Sequence, residues 1–517
     1  MPARPAARRL ACLCAALLLG AAPPALAPAL ATDWSNQGGN AARNGLTSEL
    51  GPATADLLWS GGRSSLIAWH PVTEGNRVFM VRQARWPYEQ PNDAYVVAMD
   101  LTTGAELWAV VLPYVAGDWT PWIAGVRDGR VYCSRSGNGA SVSALFYALD
   151  ASDGHTLWVS DELQDAGPYD GVVFADNGDP LVASFQDIWR FDAVDGHTVW
   201  HSPRVGSVSG SCGGARYGDG LYVLDVVGGG HALKKFSVAT GAFLYQSPTM
   251  PGFLCQVTPW VAPDGSVLIN RAEASPTNDY YYSWTDTGSG FALKWQVRGF
   301  GGAFAEHAVG ADGSVYAVIT GNRLARLDGA TGAVLDDIPL PSALSNAHMA
   351  IDGAGRLFFS NSGFATGHVY VYSADLATLH WDVAVPNINI GGPSIGQGGT
   401  LVLCGVGTNL RAYRGEDPTA VEPAALAEAL VSASPNPFQG ATRLGFALPA
   451  AGRARLAVFD CNGRHLRTLL DGEAPAGAQS AIWDGRDAAG RPLPAGVYFF
   501  RLEQGGASWS GRAVLAR

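Results

Sequence analysis

The sequence predicts an all-β protein, with a ring of repeated four-stranded sheets followed by a small antiparallel sandwich. Three observations carry this. First, 65 Gly and 16 Trp stand beside only 15% charged residues. That composition fits short strands and tight turns, whereas a helical bundle needs Ala, Glu, Lys and Leu at helical spacing. Second, one hairpin pattern recurs at spacings of 41 to 50 residues between Trp59 and Trp381. Third, the strand pattern changes after residue 431.

Residues 1–31 read as a secretory signal peptide. Arg4, Arg8 and Arg9 precede an apolar stretch from Leu10 to Ala22, and Ala29, Leu30 and Ala31 offer a small-x-small cleavage pattern. Pro23, Pro24 and Pro28 break the stretch before it could span a bilayer. Cys12 and Cys14 lie too early for a lipoprotein site. The chain is therefore expected outside the cell or on its outer surface, with the periplasm as the alternative. The formal charge of −11 becomes −14 without the three arginines. This argues against nucleic-acid binding, which needs clustered Lys or Arg. Lys occurs only at positions 234, 235 and 294. Five Cys remain (133, 212, 255, 404 and 461), with no CxxC pair to hold zinc.

Residues 32–414 hold the repeat. Asp100, Thr103, Gly104, Leu107 and Trp108 recur as Asp150, Asp153, Gly154, Leu157 and Trp158, and as Asp192, Asp195, Gly196, Val199 and Trp200. Weaker copies run through Thr240 and Gly241 to Tyr245, from Tyr282 to Trp295, through Thr331 and Gly332, and through Val371 to Trp381. An alternating strand, a Gly turn and an outer strand opened by Leu-Trp make a hairpin. A second hairpin lies upstream, as at Thr258 to Leu268 and His307 to Tyr316. Two hairpins make one four-stranded blade of a β-propeller. Eight blades are predicted, or seven if the copy at 282–295 is an insertion. Leu410 to Tyr413 lacks an outer strand, and Leu57 to Trp59 lacks inner ones. The N-terminal strand is thus expected to complete the last blade.

The repeat, together with the opening Trp34 to Gly45, resembles the PQQ-like quinoprotein β-propeller family over residues 33–415. That family includes PQQ-dependent dehydrogenases and non-enzymatic scaffolds, such as the propeller lipoprotein of the outer-membrane barrel-assembly machinery. The resemblance implies a neighbouring Cys-Cys disulfide and a calcium site in alcohol-oxidising members. The sequence has no Cys-Cys, so neither enzymatic activity nor PQQ with calcium is expected.

Residues 415–431 are acidic and rich in Ala and Pro, as a linker is. Residues 432–517 alternate in short strands between turns such as Asn462-Gly463, which predicts the sandwich. The Pro435 to Phe438, Phe459 to Arg467, Trp483 to Asp487 and Pro494 to Leu502 motifs resemble the FlgD-like Ig-fold family and type IX secretion sorting modules. The resemblance implies contact with secretion or surface-attachment machinery.

Two groups of residues are candidate sites. His70, His307 and His348 begin inner strands, with Asp170 and Glu306 at similar repeat positions. Such starts can converge on a channel rim, where imidazoles and carboxylates could bind a ligand or metal. Trp86, Tyr88, Trp119, Trp122, Trp260 and Tyr280 lie outside the outer-strand Trp series and could contact a glycan or protein. The reading is an exported, non-catalytic and monomeric binding or scaffold propeller with an unknown protein or glycan ligand. The alternatives are a PQQ-dependent dehydrogenase-like enzyme and a glycan-binding surface protein.

Overall fold

A computed structural model describes residues 33–61, 70–83, 94–115, 117–137, 142–165, 171–206, 213–251, 258–271, 280–299, 304–305, 307–340, 346–362, 367–385, 391–405, 410–415, 432–434, 436–448, 452–460, 464–474, 477–504 and 507–516. The chain forms two compact units, residues 1–415 and 416–517.

Among the described residues of the first unit are eight sheets, each with a path of four antiparallel strands. Seven are continuous in sequence, at residues 72–110, 118–165, 173–203, 215–246, 260–298, 308–339 and 346–384. The eighth combines residues 394–413 with Leu57–Ser60, which pairs Leu57 with Tyr413. That pairing joins the start of the repeat region to its end and covers a sheet edge. The stretched copy at 282–295 belongs to the complete fifth sheet.

Burial changes from the inside of each sheet to its outside. Second strands such as Val315–Ile319 and Leu401–Cys404 are buried throughout, because neighbouring sheets cover both faces. Outer strands such as Thr198–Pro203 alternate between half-buried and exposed, because one face meets water. Cys133 and Cys404 are buried thiols without disulfide partners, and burial pushes Cys404 up to about 12.

The recurring Leu-Trp pair has a geometric cause. In the first seven sheets the register between third and outer strands slips by one residue beside the turn. In the first sheet Ala98 faces Trp108 while Met99 faces Glu106, leaving Leu107 as the extra residue, 46% exposed. Such a bulge sharpens the local twist and re-aims the following side chain. The Trp then turns toward the next sheet. Trp59, Trp108, Trp158, Trp200 and Trp295 each donate their indole N–H to a carbonyl near the next sheet's turn: Leu101, Ala151, Ala193, Val238 and Gly329. Trp381 donates to Pro52, just ahead of the strand that closes the ring. The turn glycine must have no side chain. Gly196 has φ of 79°, and an added Cβ would come within 2.4 Å of the Trp158 ring.

The second unit pairs a three-stranded with a four-stranded sheet around Trp483, Phe438, Tyr498 and Phe500. Asn436 of the opening motif accepts the Val514 N–H at 2.7 Å, tying that motif to the last strand. Tyr498 donates to the Pro494 carbonyl at 2.6 Å. These contacts account for two of its sequence motifs.

Candidate functional site

The hub of the first unit is built from the opening segment. Residues 34–49 meet the eight sheets one after another, in sequence order. Backbone N–H groups of Thr73, Val126, Arg216, Val261, Val309 and Ile351 donate to the carbonyls of Trp34, Ser35, Ala41, Ala42, Asn44 and Gly45, at 2.7 to 2.9 Å. Asn36 donates its amide to Val172 at 2.8 Å, and Glu49 accepts the Gly399 N–H at 3.0 Å. Arg43, 3% exposed, donates to the carbonyls of Gly214, Gln37 and Gly171. Apart from the seventh sheet, where Phe304–Ala305 pairs in parallel with Asn346 and Ala347, the innermost strands have no strand on their inner edge, so their peptide groups need partners. The opening segment supplies them. Gly45 makes the approach possible, since a Cβ there would lie 2.7 Å from the Met349 carbonyl oxygen.

This changes the reading of the predicted rim. His70 is 7% exposed and accepts the Trp34 indole N–H on Nε2 at 2.9 Å. Its ring centroid lies 6.0 Å from that of His348, which is 4% exposed. His307 is 1% exposed and packs edge-on between Trp260 and Tyr281, at 4.4 and 4.2 Å. The structure thus brings His70 and His348 together as buried wall residues, because Trp34 covers the hub beside them. Asp170 and Glu306 lie outside the described residues.

The aromatic candidates divide in the same way. Trp122, 2% exposed, donates to the Arg135 carbonyl and packs against Phe146. Trp260 is 3% exposed. Both sit on innermost strands, so they are core residues and not loop aromatics. Tyr280 opens a third strand, is half-buried, and lies beside Tyr282 with the Arg298 guanidinium 5.9 Å from its ring. Trp86, Tyr88 and the Trp119 side chain lie outside the described residues. His155 and His197 are exposed turn residues, each bonded to an Asp two positions earlier.

Two buried carboxylates of the first unit are paired with cations. Asp118 holds Arg135 at 2.6 Å, with neither side chain exposed. Asp225 holds Arg204 at 2.8 Å and Lys234 at 2.9 Å. Calcium takes about six to eight oxygen ligands, and both of these carboxylates already face cations. Among the described residues, the His/Cys/Asp/Glu groups with converging ligand atoms are two surface turns, Asp150/Asp153/His155 and Asp192/Asp195/His197.

Sequence reasoning missed the hub role of residues 34–49. The available signal was a polar, Gly-rich opening with no strand alternation. It also missed the seam beside Tyr245, where Tyr replaces the recurring Trp.

Residues 92–250 match the family model described as outer membrane protein assembly factor BamB, and residues 432–508 match that of the FlgD Ig-like domain. No curated protein matches the chain. Among solved structures it is similar to BamB from Moraxella catarrhalis, at 16% identity over 63% of this chain and 91% of that one, with a TM-score of 0.41. It is similar to quinohemoprotein alcohol dehydrogenase from Comamonas testosteroni, at 13% identity over 78% and 83%, with a TM-score of 0.45. It is also similar to PorZ of Porphyromonas gingivalis, a surface component of the type IX secretion system, at 14% identity over 86% and 69%, with a TM-score of 0.38. The chain thus carries a PQQ-type, BamB-like propeller segment and, at its C-terminal end, a FlgD Ig-like domain.

Proposed function

We propose that the chain is an exported, non-catalytic propeller that binds a protein partner through its loops, with the FlgD Ig-like unit serving secretion or surface attachment. The self-filled hub carries this reading. Residues 34–49 tie the innermost strands into one rigid body and leave recognition to the variable loops. Two further points support it. The propeller match is to a family described as an assembly factor, and the sequence of residues 1–31 has the pattern of an export signal.

Two measurements test the reading. Adding PQQ and calcium to the purified chain should give no bound quinone absorbance and no alcohol oxidation. Uptake with turnover would overturn the non-catalytic assignment. Removing residues 432–517 should deplete the protein from the surface fraction. Unchanged localisation would refute the sorting role.

A further inference from the structure

We propose that the seam between the fourth and fifth sheets is a binding pocket for a neutral sugar. The seam departs from its neighbours in two respects. Its outer-strand aromatic is Tyr245, whose hydroxyl donates to Asp286 at 2.6 Å, where a Trp would bond a backbone carbonyl. The facing hairpin of the fifth sheet is also two pairs longer, Thr285 with Ala292 and Asp286 with Phe291, and its turn residue Gly288 has no atom within 4 Å of where a Cβ would stand. The space left open is a cavity of about 470 Å³, within the usual range for small-molecule sites.

Its walls select against anions. Two of the chain's three lysines line it. Lys235 bonds Asp286 and Lys294 bonds Asp264, both at 2.7 Å. Asp219, a third carboxylate of the wall, accepts from the Ser237 hydroxyl and the Ala239 N–H. A phosphate or carboxylate ligand would have to break one of the lysine pairs. A sugar hydroxyl breaks none, because it donates to a carboxylate and accepts from a lysine at once. Asp264 has a side chain 57% exposed, so its pair with Lys294 stands open to such bridging. The apolar complement to a sugar's C–H face is present too. The partly buried Tyr217 and the bulge residue Leu244, 45% exposed, line the same cavity. Its volume admits one or two hexose rings. This site lies outside the hub and does not depend on the role of the FlgD Ig-like unit.

The test uses the whole chain, with saturation-transfer NMR and calorimetry. The probes are glucose, galactose, mannose, N-acetylglucosamine, maltose, cellobiose and lactose, with glucose 1-phosphate and glucuronate as charged counterparts. At least one neutral sugar should bind saturably and more tightly than its charged counterpart. Thr285→Arg alters an exposed position of the wall. Lys294→Met removes one bridging donor. Each should weaken binding about tenfold without moving the urea midpoint by much. Val159→Arg, in the apolar groove between the first and second sheets, should leave binding unchanged. No saturable neutral sugar would overturn the proposal. So would preference for a charged one, or full binding by both pocket variants.

Discussion

Six of the eight seams between neighbouring sheets fall into two contrasting kinds. At five of them an indole lies against the next sheet's turn glycine: Trp59 on Gly104, Trp108 on Gly154, Trp158 on Gly196, Trp200 on Gly241 and Trp295 on Gly332. Between the fourth and fifth sheets the closure is instead polar. Asp286 accepts from Tyr222, Lys235 and Tyr245 at 2.6 to 2.7 Å. The hairpin is the same, including its bulge, and Leu244 stands where Leu107 stands in the first sheet. The aromatic side chain and the longer facing hairpin that carries Asp286 together separate the polar seam from those packed on glycine. A large apolar ring excludes the gap, whereas a shorter phenol leaves it and needs partners for its hydroxyl.

The largest predicted effect breaks an indole seam. Trp158 is 6% exposed and packs against Tyr132 and Phe146. Trp158→Ala should cost about 3–5 kcal/mol in urea unfolding of the propeller. Gly196→Ala should cost about 2–3 kcal/mol, since it adds left-handed strain and overlap with the indole. Gly288→Ala sharpens the contrast. Its φ is also positive, at 82°, but a Cβ there meets open space. Only the backbone term remains, about 1 kcal/mol. Equal costs at the two glycines would show that packing on the Trp ring contributes nothing.

The polar seam should respond to pH where the indole seams do not. Burial pushes Asp286 up, but bonds from Lys235, Tyr245, the Gly288 amide and Tyr222 outweigh it and hold the carboxyl below its usual value of 3.8. A depressed carboxylate adds stability above its unfolded pKa, and that stability is lost as pH falls through the folded one. Asp286→Asn should therefore cost about 2 kcal/mol at pH 7. The gap between variant and parent should close as pH drops below about 4. Urea midpoints measured from pH 7 to pH 2.5 decide this, and a gap that stays constant would remove the charge from the explanation.

These contrasts also show what a sequence can disclose. Trp108, Trp158 and Trp200 were legible because the turn and the Trp lie within nine residues, and the unit repeats. Their role is local geometry plus one neighbouring sheet. His70 was not legible as a buried residue, because its cover is Trp34, 36 positions earlier in a segment without strand pattern. Trp122 and Trp260 looked like loop aromatics because their innermost strands carry prolines and little alternation. The seam pocket needs Tyr222, Lys235 and Asp286 together, and Tyr222 is 64 positions from Asp286. Spacing alone cannot bring such residues together. Only the closed ring of sheets does.

The smallest predicted effect lies in the turns that indole seams share. In the second sheet's turn, the His155 ring bonds the Asp153 carboxylate at 2.6 Å, and His197 repeats this with Asp195 in the third. The carboxylate bond raises both histidines above their usual 6.5, against slight desolvation and with help from nearby charge. A raised histidine stabilises the fold below its unfolded pKa, and the gain fades as pH rises through the folded one. Both rings are exposed, so solvent screens the pairs and unfolding should barely register them. NMR titration of the imidazole signals is the sensitive measure. Asp153→Asn should return His155 toward 6.5 and leave His197 where it was. The Trp108 seam, which rests on Gly154 between these two residues, should keep its urea midpoint. If Asp153→Asn weakened that seam as much as Gly196→Ala weakens its own, the turn's hydrogen bonds and not the indole contact would be holding the sheets together.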